Sequence, residues 1–219
     1  MNFSFLGKYS EYYIKGTEIT IVLAFFAVLF GTLLGLALTL LRRSKIKPIS
    51  YIATAYVEFV RGTPLLVQIY IIYIGLPKLI GIDMPDMTVG AVALALNSGA
   101  YISEIIRAGI DAVDKGQMEA ARSLGMSQRL AMFEIIIPQA FKNILPALGN
   151  EFVSIIKESS MVSVIGVAEL MYNAGIVRSN TALGLEPIIV AAIVYFILTF
   201  TLTRILGYVE RRMKASDIR

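Results

Sequence analysis

Apolar residues in this chain gather into long stretches, and most of the charged residues fall in the short segments between them. Residues 19–41 carry no Asp, Glu, Lys or Arg. As a helix rising about 1.5 Å per residue, this run of about 23 residues covers the roughly 30 Å of bilayer hydrocarbon. With its flanks it predicts a first span over about 17–41. A second span is expected over about 51–80, carrying Glu58 and Arg61 early, and a third over about 88–108, with Glu104 inside it. The fourth, about 132–157, is the most interrupted, by Pro138, Lys142, Pro146 and Glu151; the fifth, about 187–208, has no charge before Arg204. The first run is too long for the 7–15-residue apolar core of a signal peptide, and it ends in Arg42-Arg43 rather than at small residues. The expectation is an all-α membrane protein of five transmembrane helices, a single domain over 1–219 with no internal repeat.

Composition agrees with lipid as the solvent. Of the 219 residues, 57% are hydrophobic and 16% charged, against about 45–50% and roughly 25% in soluble domains. Cys and His are both absent, which excludes disulfides, thiolate nucleophiles, the usual zinc sites and a Ser-His-Asp triad.

The net charge of +4 matters less than its placement. Arg42, Arg43, Lys45 and Lys47 follow the first span; Arg107, Lys115, Arg122 and Arg129 lie between the third and fourth; Arg211, Arg212, Lys214 and Arg219 end the chain. The opposite side holds only Lys8, Lys15, Lys78 and Arg178. Since the Lys/Arg-rich side is cytoplasmic, the N-terminus is expected outside and the C-terminus inside. Topology accounts for the basic charge, and no nucleic acid is needed.

The cytoplasmic segment between spans three and four reads Asp114-Lys115-Gly116-Gln117-Met118-Glu119-Ala120-Ala121-Arg122-Ser123-Leu124-Gly125. Asp114 or Gly116 can start a helix, and Glu119 suits the positive end of its dipole. Ala120 and Ala121 favour the helix and leave a narrow surface that another protein can approach, while Gly125 is a natural stop. A short helix over about 115–125 is expected.

Glu119-Ala120-Ala121, then Gly125, then Ile135 and Ile137-Pro138, resembles the EAA signature of permease subunits of bacterial ATP-binding cassette importers. Arg61-Gly62-Thr63-Pro64, Tyr101-Ile102-Ser103-Glu104, Gly149-Asn150-Glu151-Phe152 and Lys157-Glu158-Ser159-Ser160 resemble the polar amino acid group (histidine, arginine and glutamine permeases) within that family. Lys115 departs from the proline common there. The resemblance implies that the short helix couples to an ATPase through Gly116, Glu119, Ala120, Ala121, Arg122 and Gly125. It also implies two ATPase subunits, a second permease forming a homodimer or heterodimer, an extracellular substrate-binding protein and a bacterial inner-membrane location. The sequence has no G-x-x-x-x-G-K-[ST] phosphate loop, so ATP and Mg are expected on the ATPase partners, with no cofactor in this chain.

Polar residues inside spans are the candidate substrate contacts, because charge at mid-membrane is costly and faces a cavity or a partner. Asn97, Tyr101 and Glu104 share one helical face, bordered by Ser98; Glu151 and Ser154 form a second stripe that continues to Glu158, with Asn150 beside it. Acidic groups there point to an amino acid with a cationic side chain, such as arginine. Polar residues also act as glue between helices, and Glu104 can pair with Arg107, as Glu58 can with Arg61. Pro64 predicts a break in the second span, with Leu66 beyond it as an apolar gate. Residues 164–171 are expected as a short helix across the outer mouth. A secondary transporter would show internal repeats, and a channel would have no use for an ATPase-docking helix.

Overall fold

A computed structural model describes residues 1–215, which are helical apart from the N-terminal residues 1–5 and the connecting segments. Arg219 therefore lies outside the described residues, as do the side-chain surroundings of Lys214. The helices, in chain order, are α1 (Leu6–Arg42), α2 (Lys47–Gly62), α3 (Leu65–Ile80), α4 (Asp86–Asp111), α5 (Lys115–Ser123), α6 (Gln128–Ala131), α7 (Ile137–Glu158), α8 (Leu170–Thr181) and α9 (Glu186–Ala215). A π-helical turn, Met132–Ile136, precedes α7 and a 3-10 segment, Ser159–Ile165, follows it. The π turn sits just before Pro138, which has no N–H to give and whose ring would crowd the carbonyl of Glu134.

Helices α1, α4 and α9 are each long and apolar enough to cross a membrane; the count rises to five if each of two bent helix pairs is one span. One pair is α2 and α3, bent by 115°; in the other, Gln128–Ile165 and α8 meet at 52°. Residues 51–80, expected as one span, are therefore two helices. Thr63 (φ −121°, ψ 148°) and Pro64 (φ −63°, ψ 135°) are both extended, because proline cannot continue the ladder and pushes the residue before it out of the helical region. The helix expected over 164–171 is also corrected. Gly166 adopts a left-handed φ of 93° that ends the 3-10 segment, and the helix starts only at Leu170. Helix α8 buries Leu170, Ala174 and Val177 in a core shared with Phe5 and Tyr13 of the N-terminal region and Ala191 of α9.

Helix α4 is the centre of the molecule and packs most extensively on α1. The seam is built from small residues. A side chain at Gly31 would meet Ser98 Cβ at 3.0 Å, and one at Gly99 would meet Leu34 Cδ2 at 2.7 Å. In lipid, where apolar burial gives no preference for another helix over the acyl chains, such close backbone approach is what holds two helices together. Around this pair the main core gathers Leu23 and Ala27 of α1, Ile69 of α3, Val89 and Leu94 of α4, and Ile155 and Ile156 of α7. The opposite face of α1 presents Phe25, Phe26, Phe30, Leu33 and Leu36 outward.

Candidate functional site

The helix expected over 115–125 is α5, and its ends are set by side-chain and backbone chemistry. The Asp114 carboxylate accepts from Gly116 N at 2.6 Å, capping the first turn. At the other end Met126 N donates to Ala121 O at 3.1 Å and Gly125 N to Arg122 O at 3.0 Å, the paired bonds of a Schellman stop, with Gly125 at φ 86°. Two faces result. Ala121 is buried and Met118 half-buried, and Gln117 accepts from Gln139 Nε2 at 3.2 Å, so this side rests on α6 and the π turn and is tied to the start of α7. Gly116, Glu119, Ala120, Arg122 and Gly125 are exposed, and Leu124 is 85% exposed. Arg122 turns back to donate to Met126 O at 2.7 Å, so it braces the stop. Of the small pair, Ala120 faces out and Ala121 faces in.

The polar residues of α4 and α7 do not form one cluster. Near mid-helix the Ser98 hydroxyl donates to Glu151 Oε1 at 3.0 Å, joining α4 to α7. Ser98 is fully buried and Glu151 half-buried, and among the described residues no salt bridge reaches that carboxylate. Ser154, one turn on, is half-buried, whereas Asn150 is exposed. Glu151 is thus the acceptor that remains available on the α4–α7 seam.

Asn97 goes elsewhere. Its amide donates to Gln68 Oε1 at 2.9 Å, and both side chains are buried. Gln68 in turn donates to Val60 O at 2.7 Å, Thr63 O at 3.1 Å and Thr63 Oγ1 at 2.9 Å. Those acceptors belong to the end of α2, so Gln68 and Asn97 together satisfy the backbone opened by the Thr63-Pro64 break. Leu66, on the first turn of α3 beside this knot, is 39% exposed.

Glu104 is the hub of an ion network at the other end of α4. Arg42 of α1 pairs with its Oε1, Arg107 donates to Oε2 at 2.9 Å, and Arg61 of α2 lies 3.6 Å from Oε2. Asp111 extends the network to Arg107 at 2.9 Å and Arg43 at 3.4 Å. Arg61 also lies over the ring of Tyr101, its guanidinium carbon 5.8 Å from the centroid. The expected Glu58–Arg61 pair does not form: Arg61 turns to α4, while Glu58 is exposed. Tyr101 and Glu104 accordingly belong with these arginines and not with Glu151.

Sequence reasoning missed two residues in particular. Gln68 was visible as an amide inside an apolar run, four residues after a proline. Glu169, at the start of α8, is fully buried; it accepts from Met171 N at 2.9 Å, Tyr172 N at 2.7 Å and the Tyr195 hydroxyl at 2.6 Å. Its signal was a lone acid ahead of an apolar helical run, the position of a capping residue.

Known proteins resemble this chain over its whole length. It is 42% identical to the arginine transport system permease protein of Bacillus subtilis (strain 168), over 99% of this chain and 100% of that protein. It is 44% identical to a putative glutamine transport system permease protein of Rickettsia bellii (strain RML369-C), over 98% of this chain and 100% of the relative. A crystal structure of an amino acid ABC transporter with histidines matches with a TM-score of 0.91 and 51% identity, covering 97% of this chain and 100% of that one. Residues 27–215 match the family described as binding-protein-dependent transport system inner membrane component. The chain belongs to that family, as an amino-acid permease of the ATP-binding cassette type.

Proposed function

We propose that this permease imports a polar amino acid with a cationic side chain, arginine being the leading candidate, by alternating access driven by ATPase partners. The observation that carries the substrate reading is Glu151: a carboxylate on the α4–α7 seam with a buried serine beside it and no salt bridge among the described residues. A guanidinium or ammonium group supplies the charge that this acceptor lacks. Ser98 orients the carboxylate, and Ser154 and the more exposed Asn150 extend the polar path. The relatives support this choice, one being an arginine permease and another a solved amino acid transporter with histidines, while the glutamine permease keeps uncharged polar substrates as the comparison class. Asn97, Tyr101 and Glu104 are better used in holding the helices.

In this reading the bent pairs count as spans, giving five, with the N-terminus outside and the C-terminus inside. The Lys115–Ser123 helix is the coupling element. Its exposed Glu119, Ala120 and Leu124 meet one of two ATPase subunits, which bind ATP and Mg. Its buried Ala121 and the Gln117–Gln139 bond pass the push to α7 and so to Glu151. The α2–α3 break is the hinge, and Leu66 is the gate beyond it. A second permease completes the path, and an extracellular binding protein delivers the substrate.

The test is reconstitution with ATPase and binding protein in liposomes, measuring uptake of labelled arginine, lysine, histidine and glutamine with ATP inside. Accumulation of a cationic amino acid over glutamine is expected; preference for glutamine overturns the substrate reading and leaves the importer reading standing. Gly125→Val tests coupling. Nothing lies within 4 Å of its Cβ position, so only the left-handed φ is strained, at about 1–2 kcal/mol. ATP hydrolysis should continue while uptake falls, and normal coupled uptake would count against α5 as the coupling element.

A further inference from the structure

We infer that the cavity enclosed by α1, α2 and α4 beside the ion network is a binding site for a phosphate group, with the headgroup of an anionic phospholipid as the expected source. The cavity has a volume of about 180 Å³ and is lined by Thr39, Arg42, Arg43, Thr54, Ser103 and Arg107. Three arginines and three hydroxyl-bearing residues therefore line it, and no acidic residue does. Glu104 and Asp111 are shared among Arg42, Arg43, Arg61 and Arg107, so the network carries more positive than negative groups. Lys45 and Lys47 add to the same sign on the adjoining turn. Thr54, half-buried at the cavity wall, has no side-chain hydrogen bond among the described residues. Fixed guanidinium forks suit a tetrahedral oxyanion, and basic pockets between membrane helices on the cytoplasmic side take anionic headgroups.

The site does not depend on the transported substrate or on coupling. The proposed orientation decides only which leaflet supplies the lipid, so a failed uptake assay would leave this binding intact.

The test uses the full chain in its assembled transporter, titrated in detergent with phosphatidylglycerol or phosphatidylcholine, with bound lipid counted by native mass spectrometry. Phosphatidylglycerol should be retained over phosphatidylcholine. Arg43→Gln should weaken retention about fivefold, as expected for one basic residue at a membrane surface. Thr54→Leu, which narrows the cavity, removes its hydroxyl and leaves every charge in place, should weaken it at least as much. Lys45→Gln makes the same charge change on the exposed turn and should have a smaller effect. Competition by inorganic phosphate against chloride at equal ionic strength distinguishes the sources: displacement of lipid means that the site takes soluble phosphate as well, and no displacement means that it needs the headgroup. Equal retention of both lipids, or equal losses from Arg43→Gln and Lys45→Gln with none from Thr54→Leu, would overturn the site in favour of diffuse attraction.

Discussion

Glu104 and Glu151 are both carboxylates within apolar helices, yet their surroundings differ in kind. Glu104 is closed in by Arg42 and Arg107, with Arg61 3.6 Å away, so α1, α2 and α4 are tied at one end by a compensated charge. Glu151 receives only the hydroxyl of Ser98 and meets no salt bridge among the described residues. A charge in a membrane helix signals function by default, but the signal is informative only after its partners are known. Where the protein supplies the counter-charge, the group holds helices together. Where it does not, the group either stays neutral or takes its counter-charge from a ligand or partner.

The contrast can be broken most directly at Glu104. Glu104→Gln leaves Arg42 and Arg107 without their shared anion, and losing one partner of such a pair costs about 3 kcal/mol. The effect should appear as a lower melting temperature in detergent, and removing Arg107 as well should restore part of the loss. An unchanged melting temperature would mean that the network is not structural. Glu151→Gln should do the reverse. Uptake of a cationic amino acid should fall about 30-fold, the equivalent of about 2 kcal/mol, while the melting curve stays in place. If uptake holds and stability falls, the roles given to the two carboxylates are exchanged. Gln68→Leu strips Val60 O, Thr63 O and the Asn97 amide of a partner and should cost about 1–2 kcal/mol of stability. The smallest effect is expected from Ser98→Ala, about 1 kcal/mol, read as a roughly fivefold higher KM for uptake with little change in the maximal rate.

The sequence showed the helices well, because a chain in lipid satisfies its backbone internally and long apolar runs then have few alternatives. The short helix at 115–123 was equally readable, since Asp114 and Gly125 mark its ends with different chemistry. Side-chain partners were harder. Asn97 and Glu104 share a helical face, which suggested a common pocket, but their partners come from other helices: Gln68, 29 residues away, and Arg42, 62 residues away. Arg61 had a near neighbour in Glu58 and bypassed it, because α2 presents the arginine toward α4. The 115° bend between α2 and α3 was foreseen as a break at Pro64, but no local rule gives its angle; Gln68 reaches back across the break to Val60 O and is held to α4 by Asn97.

The glycine seam between α1 and α4 bears on Glu151, the carboxylate that meets no salt bridge among the described residues. A methyl group added at Gly31 would stand 3.1 Å from the hydroxyl oxygen of Ser98, the same hydroxyl that reaches Glu151. The missing side chain therefore works as a ruler. It sets how far α4 stands from α1, and with that how far the hydroxyl at this seam stands from α7. Gly31→Ala would retune the distance without altering one polar group, so the reach of this site is written partly in a residue that has nothing to bind with.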